Sequence, residues 1–161
     1  MQHASNLGGL LARDIADSIG VKSYLADPVV VDEMMPYARI SGVPELPRES
    51  IFHALNQKAV ARLFAKESDK KYEDLNLVVC HMGGGCTVSA HRRGRVIDTT
   101  NALDGCGPIS PERSGSLPPG PLIRLCFSGK YTEEELLKLV HGKGGLYAHL
   151  GTTSVPEALD R

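Results

Sequence analysis

Leu75-Asn76-Leu77-Val78-Val79-Cys80 runs into His81-Met82-Gly83-Gly84-Gly85, then Cys86-Thr87-Val88-Ser89-Ala90-His91, Arg92-Arg93-Gly94 and Arg95-Val96-Ile97-Asp98-Thr99. The first six residues carry the continuous apolar pattern of a buried strand, residues 86–91 alternate like a second, and Arg92-Arg93-Gly94 turns the chain into a third. The stretch therefore predicts a three-stranded meander with a glycine loop in its first turn. A plain hairpin needs one or two glycines, not three. Three let backbone amides approach a ligand closely, and clustered N–H groups form a concavity that suits an anion. On local grounds phosphate contact and a simple turn both remain open. The loop is not a Walker A motif, because no Gly-x4-Gly-Lys-Ser/Thr occurs. Gly105-Cys106-Gly107 fails as a dinucleotide fingerprint, with Ser110 at the third glycine position. His141-Gly142-Lys143-Gly144-Gly145 reads better as a cationic helix end stopped by glycine than as a phosphate loop.

Upstream, residues 48–66 form the best helix of the chain. Ile51, Leu55, Ala59 and Leu63 mark one stripe, Phe52, Val60 and Phe64 lie beside it, and Pro47 suits the start. The polar run Lys66-Glu67-Ser68-Asp69-Lys70-Lys71 places a boundary there, dividing the chain into 1–70 and 71–161. Residues 5–19 read as a helix, capped by Ser5 and stopped by Gly20. Val21–Ala26 is a short strand candidate ending at Asp27-Pro28, and the proline puts the Asp27 carboxylate at a strand end or turn. Residues 28–47, with four prolines, are expected to be irregular with one helical turn. Downstream, nine of the 17 residues from Gly105 to Pro121 are Gly or Pro, which predicts loop. Thr132-x-x-Glu135 and Ser154-x-x-Glu157 are capping-box signatures for later helices.

Composition narrows the function classes. The 161 residues suit one domain or two incomplete ones, and 42% hydrophobic with 23% charged is ordinary for a soluble globular chain. Eighteen Lys+Arg against 19 Asp+Glu give a net charge of −1, which argues against a nucleic-acid partner and a polybasic membrane anchor. No apolar run is long enough to span a bilayer, the Met1–Ser5 start is polar, and no secretory signal is read there. Cys80, Cys86, Cys106 and Cys126 contain no Cys-x-x-Cys pair, so reduced thiols in the cytoplasm are expected.

Several side chains are candidates for chemistry. No Gly-x-Ser-x-Gly elbow exists, which weakens a serine-hydrolase reading. Cys80 and His81 are neighbours on a strand and point to opposite faces, so they do not make a thiol–imidazole pair. His53 stands between Phe52 and Ala54 in the long helix, where a structural histidine is the ordinary outcome. Arg113 lies in Ser110-Pro111-Glu112-Arg113-Ser114-Gly115. Surface solvation is the bland reading, but an arginine held in a Gly/Pro loop also makes a rigid anion clamp.

His81-Met82-Gly83-x-Gly85-x-Thr87-Val88-x-Ala90-x-x-x-Gly94 resembles the second signature of the acetate and butyrate kinase family. His3-Ala4-Ser5-Asn6-Leu7-Gly8, Asp27-Pro28-Val29-Val30-Val31-Asp32 and Ser50-Ile51-Phe52-His53-Ala54-Leu55-Asn56-Gln57 look like the butyrate kinase branch. So do Asn101-Ala102-Leu103-Asp104-Gly105 and Ser110–Gly115. The resemblance covers essentially the whole chain. It implies an α/β, ribonuclease-H-like fold of the actin, hexokinase and Hsp70 type, here an incomplete two-lobed kinase. Residues 1–70 would be the end of the first lobe with the linking helix, and 71–161 the start of the second.

By similarity, His81, Met82, Gly83, Gly84 and Gly85 would touch the phosphates of ATP or ADP. His53 and Arg113 align with the family's transition-state histidine and arginine, and Asp27 with the aspartate thought to help hold Mg2+. Gln57 stands where the acetate kinase branch has a second histidine. The implied reaction is butyrate plus ATP giving butyryl phosphate and ADP, in a cytoplasmic protein that commonly self-associates. Family members are longer, carrying a first phosphate-loop strand and an adenosine-binding segment, so the chain is expected to be an internal portion without turnover of its own. The competing expectation is a non-catalytic module that binds anions or self-associates through exposed strands; a different phosphotransferase of the same fold is a third.

Overall fold

β1 (Asn76–Met82), β2 (Cys86–Arg92) and β3 (Arg95–Thr99) form one antiparallel sheet in the order β1-β2-β3. This is the predicted meander. The computed structural model describes residues 7–103 and 105–161; the Ser5 cap, most of the His3–Gly8 stretch and Asp104 lie outside them. Register pairs Leu77 with His91, Val79 with Ser89 and His81 with Thr87, so these six share one face. Arg93 (φ 51°) and Gly94 (φ 79°) make the tight turn between β2 and β3 in the left-handed region that such hairpins require.

α2 (Ala54–Glu67) lies on that face. Its buried side is Ala54, Gln57, Lys58, Ala61 and Ala65, with Ala61 and Ala65 packing with Tyr72 against Leu75, Leu77 and Val79. This corrects the expected stripe: Leu55, Val60, Leu63 and Phe64 are exposed. Small alanines let the helix approach the sheet closely, and the larger side chains are turned away from it. The helix also starts at Ala54 rather than near 48. Residues 48–52 are irregular instead, because their polar groups find tertiary partners. The Ser50 hydroxyl donates to Val31 O (2.7 Å), and Ile51 O accepts from Ala102 N (2.7 Å).

α1 (Leu7–Ser18) buries only Ala16. Residues 21–26 form no strand. Among the described residues nothing pairs with their backbone as a sheet neighbour, and a strand without a partner leaves its donors and acceptors unmatched. The expected irregular stretch 28–47 holds one 3-10 turn, Pro36–Arg39. The outer face of β1 is open, with Val78, Cys80 and Met82 exposed, so the strand is covered on one face rather than buried on both.

After the Gly/Pro loop come α3 (Pro119–Cys126), α4 (Glu133–Val140), α5 (Gly145–Leu150) and α6 (Val155–Leu159). Thr132 and Glu135 complete a reciprocal capping box on α4. At α6 only half of one forms: Ser154 Oγ accepts from Glu157 N, while the Glu157 carboxylate accepts from the Thr152 hydroxyl (2.6 Å). No helix among the described residues is long and apolar enough to cross a membrane.

Candidate active site

His53 sits at the junction between the irregular segment 48–52 and α2. With φ −78° and ψ 61°, and with Ala54 N donating to Phe52 O (2.8 Å), it occupies the centre of an inverse γ-turn. Its neighbours Phe52 and Ala54 are buried against Val96 and Val31, so the turn is anchored on both sides and the imidazole is aimed at the end of the sheet. There the His53 ring stacks on His81, with centroids 3.7 Å apart and planes 11° from parallel. His81 Nδ1 meets Asn56 Oδ1 at 2.8 Å, and His53 Nδ1 meets Thr87 Oγ1 at 2.9 Å. Burial, and then the neighbouring His81 and Arg113, push the His53 pKa down from 6.5 to about 4.

The glycine loop closes over these rings. A Cβ on Gly85 would fall 2.8 Å from Arg113 Nη1, 3.1 Å from its Cζ and 3.3 Å from His53 Cε1. Only a residue without a side chain lets the guanidinium and the imidazole converge there. The Ser110 hydroxyl donates to Gly84 O (2.8 Å), tying the Arg113 loop to the glycine loop. The Gly83 amide is used inside the turn, donating to Gly85 O (3.2 Å).

The Arg113 loop is itself clamped. Ser110 N donates to Arg113 O, Ser114 N to Val140 O, Gly142 N to Glu112 O and Leu146 N to Ser110 O, at 2.8–3.1 Å. Gly144 and Gly145 lie so close that a Cβ would fall 2.2 Å from Leu139 O and 1.9 Å from Ser110 O, respectively. His141-Gly142-Lys143-Gly144-Gly145 is thus a helix end and a backbone-packing element. Among the described residues, Arg113 has no carboxylate partner. Beside the loop opens a cleft of about 600 Å³ lined by Met82, Gly83, Gly84, Glu112, Thr153 and Val155, among others, a size that suits a small ligand.

Asp27 is placed elsewhere along α2. It occupies a bend with φ 40°, consistent with the expected turn but not with a strand end. Its carboxylate takes two bonds from Arg62 (2.7 and 3.5 Å) and lies 4.0 Å from Lys58 Nζ. Those partners are five and nine residues beyond His53, roughly 7–14 Å along the helix axis. The structure therefore brings His53, His81, Gly83–Gly85 and Arg113 together, with Asp27 held apart by cations. Sequence reasoning missed Thr87, Asn56 and Ser110 as supports. The alternation in β2 carried the signal for Thr87, since it puts three polar side chains, Thr87, Ser89 and His91, on the inward face.

The architecture is shared with solved kinases. The crystal structure of Porphyromonas gingivalis acetate kinase matches with a TM-score of 0.69 at 20% identity, over 79% of this chain and 34% of that one. A propionate kinase from Francisella tularensis matches at 0.66 and 23% identity, over 77% and 34%. These likenesses establish the actin-like fold. Residues 45–158 match the Acetokinase family pattern, and the chain belongs to that family. It is 65% identical over 153 residues to butyrate kinase 2 of Clostridium acetobutylicum, covering 95% of this chain and 43% of that protein. It is 60% identical over 160 residues to butyrate kinase 1 of the same organism, covering 99% and 45%. The chain thus spans less than half the length of these curated relatives.

Proposed function

We propose that this chain supplies the phosphoryl-transfer cradle of a short-chain carboxylate kinase, with butyrate as acceptor and ATP as donor. The observation that carries the reading is Arg113: a cation that meets no carboxylate among the described residues, clamped in a rigid loop and packed at Gly85 beside His53. A carboxylate with a pKa near 4–5 is ionised at neutral pH, so no general base is needed. An oxygen of the acid attacks the γ-phosphorus, the bond to the bridging oxygen breaks, and ADP leaves with that electron pair. The obstacle is bringing an anion to a polyanion, which positioning and charge neutralisation overcome. Arg113 offers a planar fork to the equatorial oxygens. His53 donates beside it, and Gly84 and Gly85 present amides to the phosphates, with His81 and Met82 framing the loop.

Asp27 is proposed as the carboxylate that faces Mg2+. Among the described residues no three His, Cys, Asp or Glu side chains converge on one point, and Asp27 is already neutralised by Arg62 and Lys58. These residues do not fit a preformed metal seat. We further propose that residues 1–70 end one lobe and 71–161 begin the next, in a cytoplasmic homo-oligomer. The exposed outer face of β1 favours a second reading, a non-catalytic anion-binding or self-associating piece.

The test is Arg113→Ala in the full-length enzyme, where loss of such a clamp should lower turnover by about 10³-fold or more. Turnover within about tenfold of the parent rejects the role. The 161-residue chain alone is expected to bind phosphate without forming acyl phosphate.

A further inference from the structure

A single run of hydrogen bonds leads along the covered face of the sheet, from its far end to His53. Tyr72 OH meets His91 Nδ1 at 2.6 Å, His91 Nε2 meets Gln57 Oε1 at 3.1 Å, and Gln57 Nε2 donates to Thr87 Oγ1 at 2.9 Å. Thr87 Oγ1 then meets His53 Nδ1 at 2.9 Å. Tyr72, His91, Gln57 and Thr87 are all buried, so each donor and acceptor needs its partner.

Only one placement of protons satisfies the run. The Thr87 carbonyl can only accept, and Gln57 Nε2 reaches it at 3.3 Å, so the amide nitrogen faces Thr87 and Oε1 faces His91. An amide oxygen only accepts, so His91 carries its proton on Nε2 and takes the Tyr72 hydroxyl at Nδ1. At the other end Thr87 Oγ1 already accepts from Gln57. Its own proton has one acceptor among the described residues, His53 Nδ1. His53 therefore carries its proton on Nε2, which has no partner within the chain among the described residues.

We propose that Gln57 and Thr87 are positioning residues that hold His53 as the neutral Nε2–H tautomer, so that it presents an N–H donor rather than a cation to an anionic oxygen beside Arg113 and Gly85. What that N–H is aimed at rests on the phosphoryl-transfer reading; the tautomer does not. A second proton on Nδ1 would have to point at Thr87 Oγ1, filling both lone pairs and leaving the threonine proton without an acceptor. The charged and titratable groups facing the ring, His81 from β1 and Arg113 from the loop after β3, also oppose a cation there. The lowered pKa of His53 agrees. The arrangement leaves net positive charge to Arg113 and makes His53 a directional donor.

The test is the imidazole nitrogen spectrum of the 15N-histidine-labelled 161-residue chain at neutral pH, with His53 assigned by its loss in His53→Gln. The expected spectrum shows Nε2 protonated and Nδ1 bare. Thr87→Val should give a mixture of tautomers, and Thr87→Ser should restore the single form. Gln57→Glu replaces the donor at Thr87 by an acceptor, so it should move the proton to Nδ1 and raise the His53 midpoint by about one pH unit or more. An Nδ1–H or doubly protonated His53 in the unmutated chain overturns the proposal even if every variant fails to fold, and so does an unchanged tautomer in Thr87→Val. An Nε2–H lock with no response of the Gly84 and Gly85 amides to inorganic phosphate upholds the proposal and counts against the phosphoryl-transfer reading alone.

Discussion

The imidazole of His53 lies flat on that of His81, 3.7 Å between centroids, at the point where the glycine loop and the Arg113 loop meet. Two stacked rings beside a guanidinium cannot all be cationic in a partly desolvated site, and the histidine yields because arginine does not titrate.

Stability should therefore depend on pH in a definite window. His53 and His91 are both lowered from 6.5 to about 4, chiefly by burial. Between those values the unfolded chain binds protons that the folded chain refuses. The contribution is fully present above pH 6.5 and is lost as pH falls toward 4. The urea midpoint should decline over that interval, and His53→Gln should flatten the slope. A midpoint flat from pH 6.5 to 4.5 would show that neither ring is held neutral.

What could be read in advance was local. Arg93-Gly94 and Gly83–Gly85 define the meander because turn chemistry is set by a few adjacent residues. The capping box at Thr132 needs only four. The buried face of α2 is not legible in the sequence, because Leu55, Leu63 and Phe64 outweigh Ala61 and Ala65 on any hydropathy pattern. The sheet instead selects side chains short enough to let Gln57 reach both Thr87 and His91. Val21–Ala26 has strand-like residues and no partner strand among the described residues. The arrival of Arg113 at Gly85 could not be read locally, since it depends on Gly144 and Gly145 receiving the loop backbone some 30 residues later. Resemblance names His53 and Arg113 as candidates where spacing alone leaves them open.

Two glycines should fail in opposite ways. Gly145 has φ 64°, and a Cβ there would lie 1.9 Å from Ser110 O, a backbone atom. Gly145→Ala should therefore cost stability, about 2 kcal/mol or more from left-handed strain and displaced backbone together. Gly85→Ala instead meets the end of the Arg113 side chain, which can swing away. Its fold should persist while turnover of the full-length enzyme falls roughly 10²-fold, the effect of a misplacement of about 1 Å. Thermal melts paired with initial rates separate the two. Equal melting temperatures for both variants would remove the packing role assigned to Gly145.

The Lys58 ammonium is almost wholly buried, 2.8 Å from Glu33 Oε1, and its other carboxylate, Asp27, stands at 4.0 Å. Glu33 Oε2 also accepts from Val96 N at 2.7 Å, tying the pair to β3. Glu33→Gln keeps an acceptor for Val96 but removes the charge opposite Lys58. Breaking a buried pair from one side leaves an uncompensated ion, so the variant should lose about 3 kcal/mol. Adding Lys58→Met removes the stranded charge and should return stability to within about 1 kcal/mol of the parent, since apolar replacement of a buried pair is commonly near neutral. A double-mutant cycle in urea measures both. If Glu33→Gln alone costs less than about 0.5 kcal/mol, the range of an ordinary surface substitution, then Asp27 suffices as counter-ion. Its carboxylate would then belong to Lys58 and Arg62 rather than to a metal.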